Sequence, residues 1–237
     1  MLQFLSQSIR ELSRQDYENL FGKLSPTQQA EILARKGPDA QERSLLARKL
    51  CAELAGCEMR QIQKRPSGQP FLADSPLFVS LSHSADRAFC AVSDVPVGAD
   101  VERIRPVRRR LFDRVFSERE RAGWPPLEAA PGEMVCDEEW LRRFFAGWTA
   151  KEAYFKAVGT GITDFHAVCP ADLAGECRTF FENGYCYSLF RSENSKKSSP
   201  PSERDVSAAD GGRAFEACKP PKKHSAIWAN GAGMAIK

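Results

Sequence analysis

Two segments about fifty residues apart constrain this chain more than any other feature: Val97-Gly98-Ala99-Asp100-Val101-Glu102 and Trp148-Thr149-Ala150-Lys151-Glu152-Ala153-Tyr154-Phe155-Lys156. The acids of the first are two residues apart in an apolar stretch with Val95, Val97, Val101 and Ile104, so a strand there sends both carboxylates to one face. In the second, good helix formers run to Gly159, and Glu152 and Lys156 lie one turn apart. A strand and a helix can therefore build one anionic pocket. Its candidate ligands are all oxygens, which predicts a hard cation: Mg²⁺ takes one or two carboxylates plus waters and substrate phosphates. Lysines beside such acids serve as point charges on phosphoryl oxygens. The chemistry implied is phosphoryl or nucleotidyl transfer. Singly, each segment also has a plain reading, Glu152 and Lys156 as an exposed ion pair and Asp100 as the start of a turn; the joint pattern carries the inference.

Composition narrows the classes around that pocket. Basic and acidic side chains number 34 and 31, a net charge of +3, so there is no global basic field for nucleic acid. The 237 residues, 42% hydrophobic, are enough for a packed core of one or two lobes. Eight cysteines (Cys51, Cys57, Cys90, Cys136, Cys169, Cys177, Cys186, Cys218) form no Cys-x-x-Cys, and His83, His166 and His224 supply no zinc spacing. The amino end lacks the pattern of a secretory signal, and no stretch approaches the ~20 apolar residues of a membrane helix. Reduced thiols in a cytoplasmic protein are the expectation.

Along the chain, Leu45, Leu46, Leu50 and Leu54 recur at helical spacing before Gly56, and the amino third reads as helical. Leu77 to Ser82, Ala88 to Val92 and Val97 to Glu102 read as short strands in a meander that ends on the acidic strand. After Arg105-Pro106 comes a charged helical segment through Arg121, a Pro/Gly-rich break, a long helix from Glu138 to Val158, and further strands including Gly184 to Phe190. The fold class is therefore α/β (α+β), with helix-then-strands in both halves. The division expected is an amino-terminal lobe, 1–104, and a carboxy-terminal lobe, 105–237. Within the latter, 191–225 is rich in Ser, Pro, Lys and Glu and reads as a flexible insertion, with strands returning near Ala226 to Ile236.

Further motifs complete the pattern. Gly68-Gln69-Pro70, Leu81-Ser82-His83-Ser84, Gly98 to Glu102, Phe116-Ser117-Glu118-Arg119-Glu120 and Trp148 to Lys156 follow one another in the order found in the surfactin-synthetase-type 4′-phosphopantetheinyl transferases, and the chain resembles that family from about Ser25 to Leu189. The family moves the phosphopantetheine arm of coenzyme A onto a serine of an acyl or peptidyl carrier protein, releasing adenosine 3′,5′-bisphosphate. The resemblance implies a monomer of two pseudo-twofold-related lobes with a small, mostly antiparallel sheet and a long helix in each. It implies Mg²⁺ at Asp100 and Glu152, with Glu102 holding the ion itself or a water bound to it, and Glu120 as a further acid near the metal. It assigns Arg43, Ser44, Ser82, His83, Lys151 and Lys156 to coenzyme A, and catalysis to Glu152, Lys156 and Glu102. Trp148 reads as a core anchor for the helix.

The chain departs from the family at basic positions: Gln28, Glu31 and Gln69 stand where lysines are found, leaving Arg35, Lys36 or Arg65 to substitute. Arg103, Arg105, Arg108, Arg109 and Arg110 follow the acidic strand and form a candidate docking surface for an acidic carrier. Two other functions fit parts of the pattern. One is a metal-dependent nuclease or phosphodiesterase, since paired acids plus lysine can hold two ions. The other is a catalytically silent coenzyme A or carrier-binding module, motivated by Gln28, Glu31 and Gln69.

Overall fold

The computed structural model describes residues 1–193. Most of the segment read as an insertion, and the strands expected after it, therefore lie outside the described residues. Chain order runs Leu2–Ser8 (β1), Arg14–Phe21 (α1), Pro26–Leu33 (α2), Pro38–Ala55 (α3), Ile62–Lys64 (β2), Pro70–Leu72 (β3), Phe78–Ser84 (β4), Arg87–Ser93 (β5) and Val97–Arg103 (β6). It continues with Val107–Arg108 (β7), Arg109–Val115 (α4), Glu118–Arg121 (α5), Met134–Val135 (β8), Glu138–Val158 (α6), Gly175–Glu182 (β9) and Tyr185–Ser192 (β10).

The fold is mixed α/β with small antiparallel sheets, and one wiring occurs twice. The first sheet has the order β1-β5-β4 and the second β6-β10-β9. Each half runs strand, long helix, hairpin, with the last strand central. The long helices end as their sequences require: Gly56 (φ 62°) and Gly159 (φ 79°) take left-handed conformations that close α3 and α6.

Two expectations are corrected by strand pairing. The amino end is a strand: β1 pairs antiparallel with β5, Leu5 opposite Cys90. The meander stops after β5, because β6 leaves the first sheet and pairs with β10, Asp100 opposite Ser188. The sheets share one apolar cluster, in which Phe89 meets Tyr187 edge to face with ring centroids 5.2 Å apart.

Along the boundary, β4 and β6 are joined through side chains. Ser80, Ser82 and Ser84 accept the backbone N–H groups of Ala99 (2.9 Å), Val101 (3.3 Å) and Arg103 (3.2 Å). Hydroxyls thus satisfy the edge donors of β6 that a further strand would otherwise take. On its other face β6 lies tight under α6. A Cβ on Gly98 would sit 1.7 Å from the Ala153 carbonyl oxygen, so only glycine admits the helix at that distance.

Candidate functional site

Strand alternation puts Gly98, Asp100 and Glu102 on the β6 face covered by α6, as the spacing predicts. Asp100 is only 2% exposed. Its Oδ1 accepts from Lys156 Nζ at 2.6 Å and from Ser82 Oγ at 2.8 Å, while Oδ2 is buried without a hydrogen-bond partner. Lys156, 29% exposed, also donates to Ser82 Oγ (3.0 Å) and to the Ala99 carbonyl (3.2 Å). Glu102 accepts from Ser84 Oγ at 2.7 Å. Glu152 accepts from the Trp148 indole Nε1 at 2.7 Å. Trp148 is thus more than a core anchor: it stacks on Phe145 and orients an acid one turn on, a role its i, i+4 spacing encodes.

The three acids feel one another electrostatically. Burial pushes the Glu152 carboxyl up to about 7, reinforced by the charges of Asp100 and Glu102 and opposed by Lys156 and the Trp148 hydrogen bond. Burial also raises Glu102, against its bond to Ser84. An unfolded glutamate titrates near pH 4.3, so between that value and about 7 the cation-free folded state binds a proton that the unfolded state does not. The charged Glu152 therefore costs stability above pH 7, and that cost is relieved as pH falls. Chelated protein is expected to show a more favourable change in Tm from pH 8 to pH 6 than a Glu152→Gln variant, which lacks this titration. Equal pH slopes in thermal melts would contradict the assignment.

Among the described residues, no group of three His, Cys, Asp or Glu side chains forms a ready-made metal cage. A hard cation of the Mg²⁺ type needs no such cage, since one or two carboxylates with water and phosphate suffice. The oxygen donor set and the unpartnered Asp100 Oδ2 fit that kind of ion.

Basic side chains gather beside the acids. His83 is exposed near the end of β4, and its imidazole is held below the usual range by desolvation and by Arg43, Lys156 and Arg35. Arg43, on α3, donates to the Ala85 carbonyl and, with Arg10 and Arg103, lines a cleft of about 410 Å³. Ser44 beside it is buried. Arg35, one of the expected substitutes for the missing lysines, thus acts on His83; Arg65 instead lies over the Phe71 ring, 4.9 Å from its centroid.

Other expected residues lie elsewhere. Lys151 is 0% exposed and donates to the Val115 carbonyl (2.8 Å), Glu120 Oε2 (2.8 Å) and the Phe165 carbonyl (2.9 Å). Its three hydrogens are all used, as are those of Lys156, but Lys156 is 29% exposed and can exchange a partner for a phosphate, whereas fully buried Lys151 has no such access. Glu120 is the partner of that lysine and caps α5 through Ser117, which accounts for its carboxylate without a metal. Ser82 spends its hydroxyl on Asp100, Val101 and Lys156. The departures at basic positions are structural as well. Gln28 donates to the carbonyls of Met59, Arg60 and Ile62, Glu31 pairs with buried Arg48 and with Lys64, and Gln69 donates to the Lys156 carbonyl at the end of α6.

A strand-borne acid pair, a helix-borne acid and lysine, and a rim of basic side chains make up the candidate site, and sequence comparison shows the family of the chain. Residues 96–208 match the family described as the 4′-phosphopantetheinyl transferase superfamily. The chain is 34% identical over 153 residues to the 4′-phosphopantetheinyl transferase AcpT of Salmonella typhimurium, covering 60% of this chain and 74% of the relative. It is 32% identical over 120 residues to the 4′-phosphopantetheinyl transferase gsp of Aneurinibacillus migulanus (50% and 47%) and 24% identical over 161 residues to Sfp of Bacillus subtilis (65% and 68%). It spans about half the length of several of the curated relatives it matches, gsp among them. The chain belongs to the 4′-phosphopantetheinyl transferase superfamily, and within it to the surfactin-synthetase type.

Proposed function

We propose that this protein transfers the 4′-phosphopantetheine arm of coenzyme A to a serine of an apo acyl or peptidyl carrier protein, with Mg²⁺, releasing adenosine 3′,5′-bisphosphate. The observation that carries the reading is the placing of Asp100 and Glu102 on the β6 face packed under α6, where Lys156 bonds Asp100 at 2.6 Å and Glu152 lies one turn before that lysine, beside the basic side chains His83, Arg43 and Arg35. Asp100, Glu102 and Glu152 would hold the ion, which when bound supplies positive charge at the pyrophosphate. Transfer of this kind leaves the protein mainly positioning and charge neutralisation to perform. Lys156, at the mouth of the site, turns its ammonium from Asp100 to the transferring phosphoryl group. His83, Arg43 and Arg35 receive the remaining phosphate charge of coenzyme A. Glu152 Oε2, the oxygen that Trp148 does not engage, accepts the proton of the carrier serine. Lys151 and Glu120 tie α6 to the segment after α4 and do not touch the substrate.

The two wirings are read as two lobes meeting along β4 and β6, with coenzyme A bound at their boundary, in a cytoplasmic monomer. No helix among the described residues is long and apolar enough to cross a membrane. The test of the reaction is chromatographic detection of adenosine 3′,5′-bisphosphate after incubation with coenzyme A, Mg²⁺ and apo carrier. Formation that requires apo carrier is the expected result. Cleavage of coenzyme A without carrier would favour a phosphodiesterase, and binding without turnover a silent module.

The carrier is proposed to dock on Arg103, Arg105, Arg108 and Arg110, all exposed. Arg109 drops out of that surface. It pairs with Asp113 at 3.2 Å and donates to the carbonyls of Leu127 and Ala129, pinning the loop before β8. Combined Arg108→Glu and Arg110→Glu substitutions are expected to raise the carrier KM about tenfold at low salt, less at high salt, with the coenzyme A KM unchanged. Steady-state kinetics at two ionic strengths checks this, and an unaltered carrier KM would remove the surface.

A further inference from the structure

The serine seam has a second function that depends on the metal reading above. The three serines of β4 stand in one register against β6: serine i accepts the N–H of residue i+19, and its own proton faces the side chain of residue i+18. At Ser82 that side chain is Asp100, whose Oδ1 receives the hydroxyl at 2.8 Å. At Ser84 it is Glu102, whose Oε2 receives it at 2.7 Å. At Ser80 the residue is Gly98, which has no side chain, and the serine makes the backbone bond to Ala99 alone. One repeated contact therefore joins the sheets three times and reaches a carboxylate twice.

We propose that Ser82 and Ser84 are positioning residues, each fixing one oxygen of a cation-binding acid so that its other oxygen is presented to the ion. The geometry favours this over simple cross-linking of the sheets. A hydroxyl anchored by a backbone N–H cannot rotate freely, so the direction of its proton, and with it the carboxylate plane, is set by β6 itself. Asp100 follows the pattern: Oδ1 is engaged by Ser82 and Lys156, and the buried Oδ2 has no hydrogen-bond partner. Hydrogen bonds to ligating carboxylates matter in proportion, and their loss typically weakens metal affinity about 10- to 100-fold. Ser80 provides an internal control, because it shares the seam bond and lacks the acid.

The test is Mn²⁺ binding to the full-length protein, read by electron paramagnetic resonance of the free ion, for wild type, S80A, S82A, S84A and S84T, with thermal melts of each. S82A and S84A are expected to bind Mn²⁺ at least about tenfold more weakly than wild type. S84T, which keeps the hydroxyl, should bind near the wild-type level, and so should S80A although it loses the same seam bond. Wild-type affinity in folded S82A and S84A would overturn the proposal while leaving the metal reading intact. An S80A loss equal to theirs would reduce the seam to a cross-link. Failure of wild type itself to bind Mn²⁺, with or without coenzyme A, would overturn the metal reading and the proposal together.

Discussion

Asp100→Ala is expected to reduce the rate of carrier modification about a thousandfold at saturating coenzyme A and Mg²⁺. The carboxylate stands where three elements converge: β6 carries it, β4 contacts it through Ser82, and α6 reaches it through Lys156. Its removal deletes a proposed ligand and frees Lys156 from its counter-charge at the same time. Folding should suffer less than catalysis, because Lys156 is 29% exposed and can be hydrated once its partner is gone. Initial rates from a quenched time course measure the effect. A variant within tenfold of wild type would mean that the acid pair serves structure and not transfer.

Lys151→Met should do the reverse, lowering stability by about 3 kcal/mol or more, as removal of one partner from a buried ion pair does. The ammonium holds together the end of α4, the capping acid of α5 and the turn at Phe165. Its loss leaves the Glu120 carboxylate, 9% exposed, and two carbonyls without their donor. Urea unfolding should show a lower midpoint at unchanged m-value, and folded Lys151→Met should retain coenzyme A affinity. Wild-type stability combined with weakened coenzyme A binding would instead return Lys151 to the pyrophosphate, the role the resemblance assigns it.

These two residues show where sequence is informative and where it stops. The facing of Asp100 and Glu102 follows from the period of a strand, and the span of α6, Glu138–Val158, from good helix formers and the glycine that ends it, Gly159. The fate of Lys151 does not follow, because neighbouring helix positions differ by about 100° and only tertiary packing decides which lysine faces the acids. The strand at Leu2–Ser8 escaped because its partner, Arg87–Ser93, is remote in sequence and its own alternation is blurred by intermediate burial. The departure of β6 from the first sheet was invisible for a related reason: a hairpin-like spacing says nothing about a partner such as Tyr185–Ser192. Gln28, Glu31 and Gln69 looked like missing phosphate contacts. Each instead answers a local demand: Gln28 donates to otherwise open carbonyls, Glu31 pairs with buried Arg48, and Gln69 donates to a carbonyl in the last turn of α6.

The most direct measurement is intact-mass spectrometry of a panel of apo carrier proteins incubated with the protein, coenzyme A and Mg²⁺, alongside chelator and Asp100→Ala controls. The account predicts a gain of one phosphopantetheine mass on at least one carrier, lost in both controls. A gain that survives chelation and Asp100→Ala, or no gain on any carrier while coenzyme A is bound, would contradict it.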